Sequence, residues 1–425
     1  MELDSDLQES RMNSPDGLKA CYLNLCAEMK QDVNPYILNM LQHVDHSDVV
    51  LYDGFTLMLS GNSLLFPVQR LTDNDAAVLV CLLHQNSFIT GLDLRFNNLS
   101  NCGAESIAKL LLETKVLSDL NLMCNDIGSS GAEWIAEALQ VNQSLKHLRI
   151  NGNKIGNKGG MHFATMLQLN KTLESVDLGD CDLEEMTVHM ANMLQVNQSL
   201  QELHLAKMGI KDFGAQQLSE RLVNNKTLRF LDLRCNQISC DGAKFLAELL
   251  RHNTPLKILD LAANRIGDDG LVYISEALRY LNDQLVALSV TSNSITGTGL
   301  VTFANALKSN TTLKNVYIWG NDLDESACSE FANLLKVGRL KPRQTDVSPY
   351  WVDGQVYLAE VSHGLQMFYY WVPQYGEWDE AACHASKVLP MEPESSISQI
   401  DIETSSTERG QSSVGVSAGS LHLTN

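Results

Sequence analysis

Basic residues, aromatic residues and long apolar runs are all scarce in this chain of 425 residues. Lys and Arg number 31 against 51 Asp and Glu, which gives a net charge of −20 at pH 7. Since nucleic-acid binding needs a basic surface to contact phosphates, this balance argues against direct binding of DNA or RNA. No run of about 18 apolar residues exists, and the N-terminus MELDSDLQESRMNS lacks the basic and apolar regions of a signal peptide. We therefore expect neither a membrane span nor a secretory leader.

Catalytic and ligand-binding motifs are missing as well. The sequence holds no GxxxxGK[ST] phosphate loop, no HExxH zinc motif and no GxSxG nucleophile motif. Ten cysteines are scattered without CxxC pairs, which indicates reduced thiols rather than disulfides or a zinc site. We therefore expect no enzymatic activity, no metal and no cofactor.

Apolar residues nevertheless make up 44% of the chain, enough for a large core, and they recur with a fixed period. Nine segments follow the pattern LxxLxLxxNxL at spacings of 27 to 29 residues, and a weaker copy with Leu57, Leu59, Asn62 and Leu64 precedes them. This period is typical of leucine-rich-repeat solenoids. The nine segments begin at Ile89, Leu117, Leu145, Leu173, Leu200, Leu228, Leu256, Leu285 and Leu313.

Each repeat predicts one strand and one helix. In the LxL part, alternate leucines point inward and the intervening residues face outward, as in a short strand. Between the strands, segments such as GAESIAKLLLETK carry apolar residues at i, i+3, i+4 and i+7, which predicts an amphipathic helix. We therefore predict an α/β fold: a leucine-rich-repeat solenoid, or horseshoe, with an inner parallel β-sheet, outer α-helices and a small β-rich C-terminal cap.

An asparagine closes the strand part of most repeats. It follows the inward leucines and can bond the backbone of the turn that leaves the strand. Cys181 and Met208 replace it in two consecutive repeats. These repeats are a weak point in the ladder, a local change of curvature or, more simply, tolerated variation.

Composition divides the chain into four parts. Residues 1–50 hold 9 acidic and 3 basic residues and predict an N-terminal acidic helical cap. Residues 51–337 form the predicted solenoid of about ten repeats. Residues 338–389 predict an aromatic β-rich C-terminal cap, and residues 390–425, rich in Ser and Glu, predict a disordered tail.

The predicted C-terminal cap contains three β-rich runs, with turns near Asp353–Gly354 and His363–Gly364. Aromatic residues crowd between Tyr350 and Trp378. Capping of the last repeat explains them most simply, and the alternative is that part of the cluster is a docking surface.

The outward strand positions define a candidate partner-binding face on the inner sheet. Asp93, Asp177, Asp232 and Asp260 form an acidic stripe that would attract a basic protein partner. Tyr317 and Trp319 are residue types common in binding hot spots, although packing beneath the C-terminal cap explains them equally well. The full candidate set is Asp93, Arg149, Asp177, His204, Phe230, Asp232, Arg234, Asp260, Tyr317 and Trp319.

The long repeat, with a full helix in every unit, resembles the ribonuclease-inhibitor class of leucine-rich repeats. The flanking segments NPYILNMLQ and VDGQVYLAEVSHG resemble a family of leucine-rich-repeat proteins of germ and stem cells. That resemblance implies a non-enzymatic protein linked to pluripotency and differentiation, in the nucleus, the nucleolus and the cytoplasm. It also implies nucleolar partners such as nucleophosmin or nucleolin. No basic nuclear-localisation run is present, so the sequence does not identify the signal or partner by which the protein would enter the nucleus.

Three functions are compatible with these features. The first is an intracellular scaffold that binds a protein through the concave face of the solenoid. The second is an inhibitor of a basic enzyme such as a ribonuclease, suggested by the acidic stripe. The third, suggested by resemblance, is a structural component of motile cilia.

Overall fold

The computed structural model describes residues 15–42, 55–63, 67–84, 86–183 and 186–361. Ten strands lie side by side in sequence order and form one parallel sheet. The weak copy of the repeat around Leu57 supplies the first of these strands. The strands are β1 (Phe55–Met58), β2 (Ile89–Asp93), β3 (Asp119–Asn121), β4 (His147–Arg149), β5 (Ser175–Asp177), β6 (Glu202–His204), β7 (Phe230–Asp232), β8 (Ile258–Asp260), β9 (Ala287–Ser289) and β10 (Asn315–Tyr317).

Helices alternate with these strands and pack against one another in sequence order. The arrangement confirms the predicted α/β leucine-rich-repeat solenoid with a parallel sheet on one side and helices on the other. None of the described helices combines the length and the apolar character that a membrane span needs. The α-helices are α1 (Pro15–Glu28), α2 (Pro35–Gln42), α3 (Asp73–Leu83), α4 (Asn101–Glu113), α5 (Ser129–Val141), α6 (Gly156–Leu169), α7 (Thr187–Val196), α8 (Asp212–Leu222), α9 (Cys240–Arg251), α10 (Gly267–Tyr280), α11 (Gly297–Ser309) and α12 (Glu325–Lys336).

The hydrophobic core lies between the sheet and the helices. The central residues of successive strands are paired in register, Leu120 with Leu148 and Leu148 with Val176, and each is at most 2% exposed. Small residues let the helices approach. A Cβ at Gly131 in α5 would lie 2.8 Å from the Cβ of Ala104 in α4, so this contact requires glycine.

The predicted asparagine ladder runs along the end of the strands. Asn153 Nδ2 donates to the carbonyls of Leu122 and Ile150, both at 2.8 Å, and its Oδ1 accepts the N–H of Ile127 at 3.1 Å. At the first interruption, Cys181 Sγ donates to the Ile150 carbonyl at 3.4 Å, so the thiol keeps one bond of the ladder. At the second, the N–H of Met208 donates to Oδ1 of Asn236 at 3.0 Å. The N–H of Asn293 makes the same bond to Oδ1 of Asn321 at 2.9 Å, so this bond belongs to the next repeat and does not replace the side-chain amide that Met208 lacks.

A second asparagine ladder, not predicted from the sequence, follows the C-terminal ends of the helices. Asn170 Nδ2 donates to the carbonyl of Leu139 in the preceding helix at 2.7 Å. Its Oδ1 accepts the N–H groups of Thr172 at 2.9 Å and Leu173 at 2.8 Å. Its signal in the sequence is the recurring VNQSL or NKTL motif before each strand. The members are Asn142, Asn170, Asn197, Asn225, Asn282 and Asn310.

Two helices cover the first repeat. Leu18 and Tyr22 of α1 and Ile37 of α2 are buried in the common core. Tyr36 Oη donates to the backbone carbonyl of Ser60 at 3.0 Å, which ties α2 to the turn after β1. The N-terminal end of the sheet is thereby shielded from water.

Charged side chains close the last repeat. Arg339 donates from Nε to the carbonyl of Leu307 at 2.6 Å and from Nη2 to that of Leu313 at 2.9 Å. The carboxylate of Asp346 accepts the N–H groups of Ile318 and Trp319, both at 2.9 Å. In the repeat before, the corresponding groups bond the following repeat: the N–H of Val290 donates to the carbonyl of Tyr317, and the carbonyl of Leu278 accepts from Asn310. At Ile318 and Leu307, Asp346 and Arg339 make these bonds instead.

A hairpin follows this closure and packs against α12. Its strands, β11 (Val347–Val352) and β12 (Gln355–Glu360), are antiparallel, and the turn between them has positive φ at Asp353 and Gly354. Trp351 is 65% exposed, so it does not cap the solenoid as the sequence analysis expected of the aromatic cluster.

The remaining C-terminal expectations lie outside the described residues. They are the third β-rich run, the turn at His363–Gly364, the aromatic residues from Phe368 onward and the 390–425 tail. The four segment boundaries given above stay predictions.

We expect the second ladder to contribute strongly to stability. Asn170→Ala leaves one carbonyl and two N–H groups buried without partners, which should lower the free energy of unfolding by about 2–4 kcal/mol. Asn157→Ala, at an exposed position of α6, is the matched control and should change it by less than about 0.5 kcal/mol. Equilibrium urea unfolding measures both. Equal unfolding midpoints for the two variants would show that the second ladder does not contribute to stability.

Candidate functional site on the inner face of the sheet

The parallel register aligns the outward side chains of successive strands into continuous rows. Seven of the ten candidate residues fall in one of them, which we call the inner row. Phe230 and Arg234 flank this row at Asp232, and Trp319 follows it two residues after Tyr317. The inner row is Asp93, Asn121, Arg149, Asp177, His204, Asp232, Asp260, Ser289 and Tyr317.

Burial divides the row into two halves. On β3 to β5, Asn121, Arg149 and Asp177 are half-buried. From β6 onward the members of the row are buried, as is Asp93 on β2, and Asp232 is 0% exposed. The two halves therefore offer different surfaces to a partner.

An ionic cluster occupies the middle of the buried half and consists of Glu202, His204, Asp232, Arg234 and Asp260. Asp232 Oδ2 lies 3.2 Å from Nδ1 of His204 and 3.2 Å from Nε of Arg234. Nε2 of His204 lies 3.8 Å from Oε2 of Glu202, and Nη1 of Arg234 lies 3.9 Å from Oδ2 of Asp260. Every charge in the cluster thus has an opposite charge beside it.

These contacts shift the protonation of the cluster. Burial by itself would lower the pKa of His204, but the carboxylates of Asp232 and Glu202 outweigh it and raise the pKa to about 9. Burial favours the neutral form of Asp232, yet the Arg234 and His204 charges hold its pKa below the usual value. Burial, together with the Asp232 charge, raises the pKa of Asp260 to about 7. His204 is therefore a cation at neutral pH.

The expectation of a solvent-exposed acidic stripe is wrong for three of its four members. Asp232 and Asp260 are buried and face Arg234 and His204. Asp93 is 4% exposed and lies 3.2 Å from Nε of Arg95. The cause is the two-residue period of a strand, which puts residues i and i+2 on the same face. Arg95 therefore reaches back to Asp93, and Arg234 reaches back to Asp232. Only Asp177 stays half-buried.

The two aromatic candidates at the C-terminal end also differ from the expected hot spot. Tyr317 is 6% exposed, and burial raises its pKa to about 12. Trp319 is half-buried and packs against the hydrophobic core, and Asp346 binds its backbone N–H. Trp319 is therefore held at the closed end of the solenoid, and its packing beneath the C-terminal cap stays a prediction.

The inner row carries polar or charged side chains on all nine of its strands. Within the part of the chain that the structure describes, no group of three or more His, Cys, Asp or Glu side chains is arranged to hold a metal ion. The ionic cluster has its charges paired internally, and it contains no serine or cysteine. The half-buried members of the inner row are those on β3 to β5.

Comparisons with known proteins agree with this fold. The family model described as Leucine Rich repeat matches residues 85–108, 115–136, 141–164, 224–247 and 252–275. Leucine-rich repeat-containing protein 34 of Mus musculus is 52% identical over 393 residues, covering 85% of this chain and 95% of the relative. The Homo sapiens protein of the same name is 52% identical over 416 residues, covering 90% of each chain. The chain belongs to the leucine-rich repeat-containing protein 34 family.

The kinship to leucine-rich repeat-containing protein 34 extends beyond the repeats, since the aligned share of the chain is larger than the solenoid. A solved structure, the crystal structure of the Rad7 and Elc1 complex in yeast, aligns with 83% of this chain and 95% of its own. It does so at 13% identity and a TM-score of 0.39, too distant a likeness to inform function.

We expect the free energy of unfolding to fall as the pH rises from 6.5 to about 9. His204 holds its proton up to about pH 9 in the folded chain, against 6.5 without its partners. The folded state is therefore favoured fully below pH 6.5 and loses this advantage, at most about 3 kcal/mol, as His204 deprotonates. Asp260 acts in the same direction at lower pH, because its pKa is also raised.

The test is urea unfolding across this pH window. His204→Gln should flatten the profile, whereas His252→Gln, at an exposed position after α9, should keep it. A profile in His204→Gln as steep as in the unaltered chain would contradict the ion pairing.

Proposed function

We propose that this protein is a non-enzymatic scaffold that binds a protein partner through the inner face of its repeat sheet. The observation that carries this proposal is the unbroken register of the inner row across nine strands, because it presents side chains from many repeats to one partner. A face shared by many repeats can supply the contact area and the specificity that protein binding needs, without a cavity.

The binding half of the face is β3 to β5. The row there alternates amide, cation and carboxylate at Asn121, Arg149 and Asp177. These side chains are half-buried, so a partner can reach them without breaking the core. Asp177 on β5 and Asp119 on β3 favour a partner with basic side chains, which keeps the predicted preference but moves it away from Asp232 and Asp260.

The cellular setting is part of the proposal. We place the protein in the nucleus, the nucleolus and the cytoplasm of germ and stem cells, with a role in pluripotency and differentiation. Nucleophosmin and nucleolin are the first partners to test. Support for this setting comes from the resemblance of the flanking segments, not from the inner face.

The alternative functions fare differently. An inhibitor of a basic ribonuclease would use an exposed acidic stripe, and the pairing of Asp232 and Asp260 with Arg234 counts against it. A direct inhibition assay against a pancreatic-type ribonuclease tests this alternative. A role in motile cilia has no support in the geometry of the face, and localisation in ciliated cells tests it.

We expect Asp177→Lys in the full chain to reduce recovery of the partner at least about fivefold in a quantitative pull-down, by placing a cation opposite the basic side chains of the partner. Glu220→Lys, an equal charge reversal at an exposed position of α8, is the control and should leave recovery unchanged. Variants of Asp232, Asp260 or Trp319 are unsuitable, since they would destabilise the fold. Equal recovery of every protein by both variants would exclude β3 to β5 as the binding half.

A further inference from the structure

A cavity of about 370 Å³ opens among three helices on the outer side of the solenoid, away from the inner row. Val272, Ser275 and Arg279 of α10 line it, and they share one face of that helix because they lie three, four and seven positions apart. Arg251 at the end of α9 and Thr302 of α11 add to its wall. Its volume lies within the range of about 300–1,000 Å³ that is usual for ligand sites.

The wall of this cavity holds a hydroxyl that the fold itself does not use. Ser275 is 2% exposed, and its Oγ has no hydrogen-bond partner among the described residues. Burying a hydroxyl without a partner costs free energy that an alanine in its place would avoid. Because Ser275 lines the cavity, rotation about χ1 turns the hydroxyl toward a bound group that can accept its hydrogen.

Two arginines make the cavity cationic, although the chain as a whole carries a net charge of −20. Nη2 of Arg251 lies 3.3 Å from Oε2 of Glu276, and its Nη1 lies 3.5 Å from Oε1 of Glu248. Both glutamate side chains are more than half exposed, so these ion pairs are weak and a bound anion can replace them. Arg279 has no carboxylate of the described chain within ion-pair distance, and its guanidinium lies over the ring of Tyr280, 5.0 Å from the centroid.

The cavity continues into an apolar rim. Tyr280 is 69% exposed and Leu281 is 52% exposed, and both also line the cavity. Tyrosine and arginine are the residue types that often dominate the binding energy of protein interfaces. A free small anion would fill the cavity and leave this rim uncovered, whereas a segment of a protein covers both.

We propose that this cavity is a second protein-binding site, which accepts an acidic side chain of a partner, phosphoserine or glutamate, with an apolar residue beside it. The planar forks of Arg251 and Arg279 donate to the phosphate or carboxylate oxygens, and the Ser275 hydroxyl donates its unused hydrogen to the same group. The apolar neighbour packs on Tyr280 and Leu281. The site goes beyond the proposed function, since it lies on the helices and takes a partner segment of the opposite charge to that expected at the inner row.

Fluorescence anisotropy with the full chain tests the site. The probes are fluorescein-labelled pentapeptides Ala-Leu-X-Leu-Ala, in which X is phosphoserine, glutamate or alanine. We expect the phosphoserine peptide to bind at least about tenfold more tightly than the alanine peptide, because it makes charge-assisted hydrogen bonds. Equal binding of all three peptides would overturn the proposal. Displacement of the phosphoserine peptide by an equal concentration of inorganic phosphate would also overturn it, since the cavity would then be a site for small anions only.

Variants locate the binding in the cavity. Arg279→Gln, at an exposed position, should weaken binding of the phosphoserine peptide at least about fivefold, whereas Arg265→Gln, in the exposed turn before α10, is the matched control and should not. Ser275→Ala should weaken binding severalfold while the urea unfolding midpoint stays equal or rises, a combination that damage to the fold does not produce. Binding equal to that of the unaltered chain in Arg279→Gln or in Ser275→Ala would overturn the proposal. None of these measurements involves the inner row, so failure here is distinct from failure of the pull-down with Asp177→Lys.

Discussion

The need to satisfy backbone N–H and C=O groups at both ends of every strand governs this solenoid. A parallel sheet whose strands are mostly three residues long leaves most of each repeat without ladder bonds. Asparagine solves this up to twice per repeat, because its amide can donate and accept at once. Asn153 does so after the strand and Asn170 before it, and both reach carbonyls of the preceding repeat. The asparagines therefore fix the spacing between neighbouring repeats as well as the local turns.

Constant spacing has a consequence for the surface. Because every strand pairs with the next in the same register, residues separated by a whole repeat become neighbours. His204 meets Asp232 across this gap, and Arg234 reaches both Asp232 and Asp260. Charges that are distant in the chain neutralise one another, which turns an apparent acidic stripe into a self-contained ionic cluster. The half-buried positions on β3 to β5 are those that we propose for partner binding.

The ends of the solenoid obey the same constraint by other means. Tyr36 and the helices α1 and α2 cover the first repeat, while Arg339 and Asp346 supply the bonds of a missing repeat at the other end. This closure also starts the hairpin beside β10.

The sequence by itself determined the repeat, the strand and helix of each unit and the rows of outward positions, because period alone fixes which side chains share a face. The recurring asparagine of the second ladder, such as Asn170, is visible in the sequence. Its role depends on the carbonyl of Leu139, which only the stacking of helices brings near. Burial of Asp232 and the placement of Trp319 against the core were decided by tertiary structure alone. Solvent exposure depends on neighbours from other repeats, and no local pattern encodes how closely those neighbours pack.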